Sequence, residues 1–119
     1  MLKYTKEHEW LKQDGDEVIV GITAHASEQL GDVVFIELPE VGREVAEGEE
    51  IVVIESVKAA SDIVAPIAGT ITAVNEALPD TPGAVNDDAM SAWFFKITPA
   101  AGVDLSGFMD EAAYNALIG

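Results

Sequence analysis

The sequence predicts an all-β fold, a flattened barrel or sandwich of short antiparallel strands with one short helix among the early strands and another at the C-terminus. Three observations carry this. Apolar, β-branched and aromatic residues occur in runs of strand length closed by Gly, Pro or Asp turns. Two such runs, 51–54 and 63–67, flank a tip of small and polar residues. Helical signals with a capping residue appear only at 23–30 and 110–117.

Taken in order, Trp10-Leu11 and Glu17 to Ile22 form a hairpin about Asp14-Gly15-Asp16, with Val18, Val20 and Ile22 on one face. Thr23 is placed to N-cap a short helix through Leu30, and Gly31 to end it in a left-handed conformation. Val33 to Leu38 reads as a buried strand stopped at Pro39. Glu40 to Glu50 reads as an exposed loop with a short strand at 44–46. Ile51 to Ile54 and Ile63 to Ile67 are buried strands, the second an edge or bulged because Pro66 lacks a ladder donor. Gly69-Thr70 turns into a strand from Ile71 to Val74. Asn75 to Asp88, punctuated by Pro79, Pro82 and Gly83, reads as a long loop before a strand from Trp93 to Ile97 that Pro99 ends. The character changes from Asp104, and Asp110 caps a helix over Glu111 to Leu117 with Ala113, Tyr114 and Leu117 on one side. No repeat or low-complexity tract appears, and one domain over residues 1–119 is expected.

Composition narrows the function. Six Lys plus Arg stand against 22 Asp plus Glu, a formal charge of −16, and this field repels nucleic acid and anionic membranes. Cysteine is absent, so the chain has no disulfide, thiolate ligand or cysteine nucleophile, and sulfur chemistry would have to come from a cofactor. No apolar run approaches the ~20 residues of a membrane span, and Met1-Leu2-Lys3-Tyr4 opens no signal-like segment. A bacterial cytoplasm is the expected location, and a mature mitochondrial form is compatible with the same features.

Of the five lysines, only Lys58 falls near the middle of a tip between two apolar strands, ten residues after Gly48 and eleven before Gly69. A lysine on a hairpin turn is fixed at its Cα while its amine projects outward, the arrangement a swinging carrier requires. Ser56, Val57, Ala59, Ala60 and Ser61 leave an enzyme room to approach. On pattern alone, a solvated turn lysine is the commoner explanation, since lysines are mostly exposed.

The run Glu55-Ser56-Val57-Lys58-Ala59-Ala60-Ser61-Asp62 resembles the lipoylation motif of glycine cleavage H proteins. The similarity extends through His8-Glu9-Trp10, Val20-Gly21-Ile22-Thr23, Gln29-Leu30-Gly31-Asp32-Val33-Val34-Phe35, Glu37-Leu38-Pro39-Glu40-Val41-Gly42, Ala65-Pro66-Ile67-Ala68-Gly69 and Val74-Asn75-Glu76-Ala77-Leu78. It covers nearly the whole chain. It departs at Asp87-Asp88-Ala89-Met90-Ser91-Ala92-Trp93, where many members carry Pro-Tyr or Pro-Met and a Gly, and at Glu7, where others have a small hydroxyl residue.

The resemblance implies the lipoyl/biotinyl-like barrel-sandwich version of the all-β fold, with lipoate joined by an amide to Lys58 in a motif of Glu55, Ser56, Val57 and Ala59. It implies a carrier subunit rather than a catalyst. The carrier would take an aminomethyl group from a glycine decarboxylase (P protein) to an aminomethyltransferase (T protein) and present dihydrolipoyl to a dihydrolipoyl dehydrogenase (L protein). A lipoyl attachment enzyme, reading Glu55 and the hairpin shape, is a fourth partner. Glu9 and Asp62 are implied as carboxylates of a cleft for the cationic aminomethyl group, with Glu7 and His8 in its wall.

Other constellations carry less. His8 and His25 lie far apart with no metal-ligand spacing, and no nucleotide-binding glycine motif or serine elbow is present. Glu47, Glu49 and Glu50 form an acidic cluster that is either a solvated face or an aid to recognising basic partners. Three rival functions stand beside the main reading. A biotin carrier would have methionine beside its lysine, where Val57 and Ala59 stand; an H-like protein could relay lipoyl groups to other enzymes; an unmodified interaction module could keep the same fold.

Overall fold

A computed structural model describes residues 2–103 and 105–118. Asp104, where the change of character is expected, lies outside the described residues.

The strands form two antiparallel sheets that are not closed into a barrel. The larger contains β1 (Leu2–Tyr4), β2 (Glu9–Asp14), β3 (Glu17–Ile22), β5 (Glu44–Val45), β8 (Gly69–Val74) and β9 (Phe95–Pro99), in the order β1-β2-β3-β9-β8-β5. The smaller contains β4 (Val33–Glu37), β6 (Glu50–Ser56) and β7 (Ala60–Val64), in the order β4-β6-β7. Helix α1 (Ala24–Leu30) follows β3, single turns α2 (Ala77–Asp80) and α3 (Ala84–Asp87) follow β8, and α4 (Glu111–Ile118) ends the fold. The molecule is flattened, 39 × 34 × 21 Å.

Alternation puts Leu11, Val18, Val20 and Ile22 on the inner face of the larger sheet, against Ile36, Val52, Ile54 and Ile63 of the smaller. Burying each such aliphatic side chain contributes about 1.5–3 kcal/mol, so the two sheets cannot part cheaply. The opposite face of the larger sheet carries a second cluster, in which Tyr4, Trp10 and Tyr114 are buried beside Ile118 and Met109. Trp10 stands across the ladder from Gly21, and a Cβ there would lie 2.5 Å from the indole, so only glycine leaves the ring its place.

Several expectations are corrected by local physics. Val33 to Leu38 is not buried throughout. A bulge between Val33 and Phe35 leaves Val34 and Phe35 exposed while Val33 and Ile36 stay buried. The segment 75–88 is not a plain loop, because Leu78 and Val85 each drive one helical turn into the core. The last long strand begins at Phe95 rather than Trp93, because the Trp93 carbonyl accepts from Asn75 Nδ2 at 3.0 Å instead of joining a ladder. In α4 the buried side runs through Tyr114 toward Ile118, while Ala113 and Leu117 are exposed. The strand before Pro66 ends at Val64 and forms the sheet's edge.

The caps fall where side-chain chemistry places them. Thr23 Oγ1 accepts from the Ala26 N–H at 3.2 Å, Gly31 ends α1 with φ 77°, and Asp110 Oδ1 accepts from the Ala113 N–H at 2.8 Å.

Candidate functional site

Residues 56–59 close the β6–β7 hairpin, and the Ser56 side chain organises them. Its Oγ accepts from the Lys58 N–H at 3.2 Å and the Ala59 N–H at 3.1 Å, and donates to the Ala59 carbonyl at 3.0 Å. The Ser56 N–H donates to the same carbonyl at 2.8 Å. The Val57 N–H donates to the Asp32 carbonyl at 3.0 Å, tying the tip to the strand entry of β4. Two neighbouring sheet strands and a saturated hydroxyl therefore fix the Cα of Lys58, while its side chain is exposed.

That side chain does not point straight away from the protein. It lies along Gly31, where an added Cβ would come 3.1 Å from its Cε and 3.4 Å from its Cδ. The glycine that ends α1 is also the floor on which the lysine stem rests, a second duty that its helix-stop position alone does not reveal.

Beside the hairpin, a cleft of about 210 Å³ is lined by Glu7 and His8, by Ile22, Ala26, Gln29 and Leu30, and by Ile54, Ser61, Asp62 and Ile63. Register puts Ser61 and Ile63 on the inner side of β7 and Asp62 at the rim of its open edge. The structure therefore brings Glu7, His8 and Asp62 to one cleft.

Glu9 is not among the lining residues. It stands opposite Ile22 in the ladder, on the face that looks toward the cleft's inner end, and is only 2% exposed. Its Oε1 accepts from Thr5 Oγ1 at 3.2 Å, Thr5 Oγ1 accepts from the Glu9 N–H at 3.1 Å, and Oε2 has no hydrogen-bond partner among the described residues. Burial pushes its carboxyl up to about 8, outweighing the Thr5 hydrogen bond, so in the isolated chain it is largely uncharged at neutral pH.

His8 adopts φ 67°, which few non-glycine residues do. The ring is held at 2.8 Å between Nδ1 and the Tyr114 hydroxyl, which also lies 2.7 Å from Thr23 Oγ1. His25 of α1 comes within 4.9 Å of the His8 ring, and burial, with His25 nearby, lowers the His8 pKa. The two histidines, distant in sequence, are thus neighbours, and among the described residues no group of three or more His, Asp or Glu could hold a metal. In the acidic loop, Glu49 pairs with Arg43 and accepts from the Ala46 N–H at 3.1 Å, which lowers its pKa; Glu47 and Glu50 are exposed. The departing loop is anchored where Trp10 Nε1 donates to the Ala89 carbonyl at 3.1 Å.

Two apposed antiparallel sheets with a lysine at the tip of one hairpin place the chain in the lipoyl-domain-like barrel-sandwich class, whose members present a tethered group to other enzymes. The model of the glycine cleavage H-protein family matches residues 2–119. The chain is 52% identical over 118 residues to the glycine cleavage system H protein of Phenylobacterium zucineum, covering 98% of each. It is 56% identical over 120 residues to that of Chromobacterium violaceum, covering 99% of this chain and 94% of the relative. The crystal structure of a glycine cleavage system H protein from Mycobacterium marinum superposes with a TM-score of 0.87 at 38% identity, covering 99% of this chain and 96% of that one. The chain belongs to the glycine cleavage H-protein family, the lipoyl carriers of the glycine cleavage system, and is a carrier subunit rather than a catalyst. Among the described residues, no helix is long and apolar enough to cross a membrane.

Proposed function

We propose that Lys58 bears lipoate in amide linkage and that residues 1–119 act as one carrier domain in a bacterial cytoplasm. The carrier moves the aminomethyl group of glycine from the P-protein decarboxylase to the T-protein aminomethyltransferase, then presents the dithiol to the L-protein dehydrogenase. A lipoyl attachment enzyme loads it. The supporting observation is that Lys58 is the amine on a turn braced by Ser56, in a chain matching the family over residues 2–119.

The surroundings suit the group. Gly31 leaves space for an aliphatic stem, and the cleft offers Ile22, Leu30, Ile54 and Ile63 to a hydrocarbon arm with Gln29, Ser61 and Asp62 among its polar lining. When attached, lipoate supplies a redox-active disulfide that accepts the one-carbon cargo and is recovered as a dithiol.

This chain's residues position and shelter. The Ser56 hydrogen bonds hold the attachment point, and the apolar walls limit water around a cargo amine. The Asp62 carboxylate at the rim offers a cationic amine its counter-charge. Glu9, buried beyond the cleft lining, keeps a raised pKa in the isolated chain, and a cation brought close to it would lower that pKa and favour its charged form.

Intact mass and peptide mapping after incubation with a lipoate–protein ligase test the attachment. One lipoyl group on the Lys58 peptide, with Lys58→Arg unmodified and inactive in glycine–bicarbonate exchange, is the expected result. Full exchange activity in Lys58→Arg would overturn the reading.

A further inference from the structure

The outer face of the smaller sheet has an exposed apolar centre and an acidic margin. β4 takes in an extra residue at Val34, since Val33 pairs with Ser56 and Phe35 with Glu55. The bulge leaves two consecutive side chains exposed, Val34 by 57% and Phe35 by 43%. Glu37 shares the Phe35 side of its strand, Glu55 stands directly opposite Phe35, and Asp62 lies beyond Val53 on the same face. Val57, 67% exposed, carries the apolar surface onto the tip beside Lys58. Within residues 33–37 and 50–64, Lys58 is the sole lysine or arginine.

We infer that this face is the docking surface for the enzyme that acylates Lys58, a partner bringing an apolar protrusion rimmed by Lys or Arg. This rests on the reading of Lys58 as the attachment residue. The reaction itself argues for this occupant. The amine nitrogen forms a C–N bond to an activated acyl carbon as the acyl–oxygen bond to the activating phosphate breaks, and one proton leaves the nitrogen. The donor must therefore come within bonding distance of a side chain whose Cα is fixed, so the body of that enzyme must touch whatever surrounds the tip. Enzymes that act at the far end of a loaded arm can stand away by the length of the arm.

Charge points the same way. Glu37, Glu55 and Asp62 ring the patch on a chain of net charge −16, so a basic partner is steered to it and an acidic one repelled. Phe35 at the centre is the kind of aromatic anchor that dominates interface energies once water is excluded around it.

The experiment measures initial rates of lipoyl mass gain on unmodified protein with a purified ATP-dependent lipoate–protein ligase, lipoate and ATP. The double variant Val34→Ser, Phe35→Ser should lower kcat/KM about tenfold or more, chiefly through KM, as loss of an aromatic anchor does. Glu37→Lys should lower it several-fold at low salt, with the difference shrinking at high salt. A small N-hydroxysuccinimide ester, which needs no docking, should acylate Lys58 at equal rates in the double variant and wild type.

A ligase rate within about twofold of wild type in the double variant would overturn the inference, as would an equal loss with the small ester. So would normal loading followed by failure with the decarboxylase, which would give the surface to another partner, or a wild-type dimer that the double variant dissolves. Lys58→Arg separates the two claims: mass gain in that variant sinks the attachment reading, whereas a blank there beside normal loading of the double variant sinks the docking surface alone.

Discussion

Replacing Glu9 by Gln should make the protein more stable above mildly acidic pH, and the size of the effect follows from its burial. The carboxyl is pushed from 4.5 to about 8 because burial penalises its charged form, a cost that the Thr5 hydrogen bond only partly offsets and that nearby Glu7 adds to. The folded state therefore holds a proton that the unfolded chain releases between those values. Stability is greatest below about pH 4.5, falls as pH rises, and stops falling once the folded-state group has also ionised near pH 8. At about 1.4 kcal/mol per pH unit, the shift from 4.5 to about 8 sets a ceiling of about 5 kcal/mol, of which about 3 kcal/mol accrues between about pH 5.5 and pH 8. Gln keeps the shape and the acceptor for Thr5 but does not titrate. Subtracting the two proteins removes what the other acids of a −16 chain contribute to the same slope. Urea unfolding at both pH values should show the variant gaining on wild type by about 3 kcal/mol over that interval. Parallel pH dependences for the two proteins would refute the claim that Glu9 is buried without a counter-charge.

Gly21→Ala should cost about 1–3 kcal/mol in the same assay, since its Cβ would meet the Trp10 ring at 2.5 Å, and Trp10 fluorescence should shift as the indole is displaced. Ser56→Ala removes the hydroxyl that three tip hydrogen bonds share, so amide exchange at Lys58 and Ala59 should quicken about fivefold or more with little change in global stability. Tyr114→Phe deletes the hydroxyl that His8 and Thr23 share, and should cost about 1–2 kcal/mol while the His8 ring resonances broaden or move; unchanged His8 shifts would show that the helix does not hold the cleft wall.

The hairpins were legible because one-sided burial forces alternation: Val18, Val20 and Ile22 can share a face only in an extended chain. The tip was legible because Lys58 is set between two apolar runs that must both be buried. β1 left no local mark, since three residues paired to 10–12 depend on a partner rather than on their own pattern. The single turns α2 and α3 hid behind Pro79, Pro82 and Gly83, which signal loops; only the burial of Leu78 and Val85 gives them reason to coil. The buried side of α4 could not be read from spacing, because it is chosen by Tyr114 stacking on Tyr4 at 4.7 Å and bonding to Thr23. At the site, Glu7, His8 and Asp62 line one cleft while Glu9, expected among them, lies buried outside its lining, and the raised pKa of Glu9 comes from that burial, which a sequence does not display.

A carrier faces two opposed demands, to hold its cargo away from water and to offer the same arm to enzymes in turn. The smaller sheet separates them by geometry. Ser61 and Ile63 of β7 face inward to the proposed cleft, while Phe35, Glu37 and Glu55 look outward on the proposed docking face. Lys58 sits on the turn where the two sides meet, so an enzyme pressed against the outer face need not pry apart the cleft walls to reach the amine. The walls are fixed from elsewhere: α4, packed on the far side of the larger sheet, reaches through Tyr114 to His8 and Thr23. Loading and sheltering can then be altered independently by mutation. Changes at Val34 and Phe35 act on the approach of the loading enzyme, and changes at Tyr114 on how long a bound amine is kept from solvent, whereas Asp62, at the rim shared by cleft and docking face, acts on both.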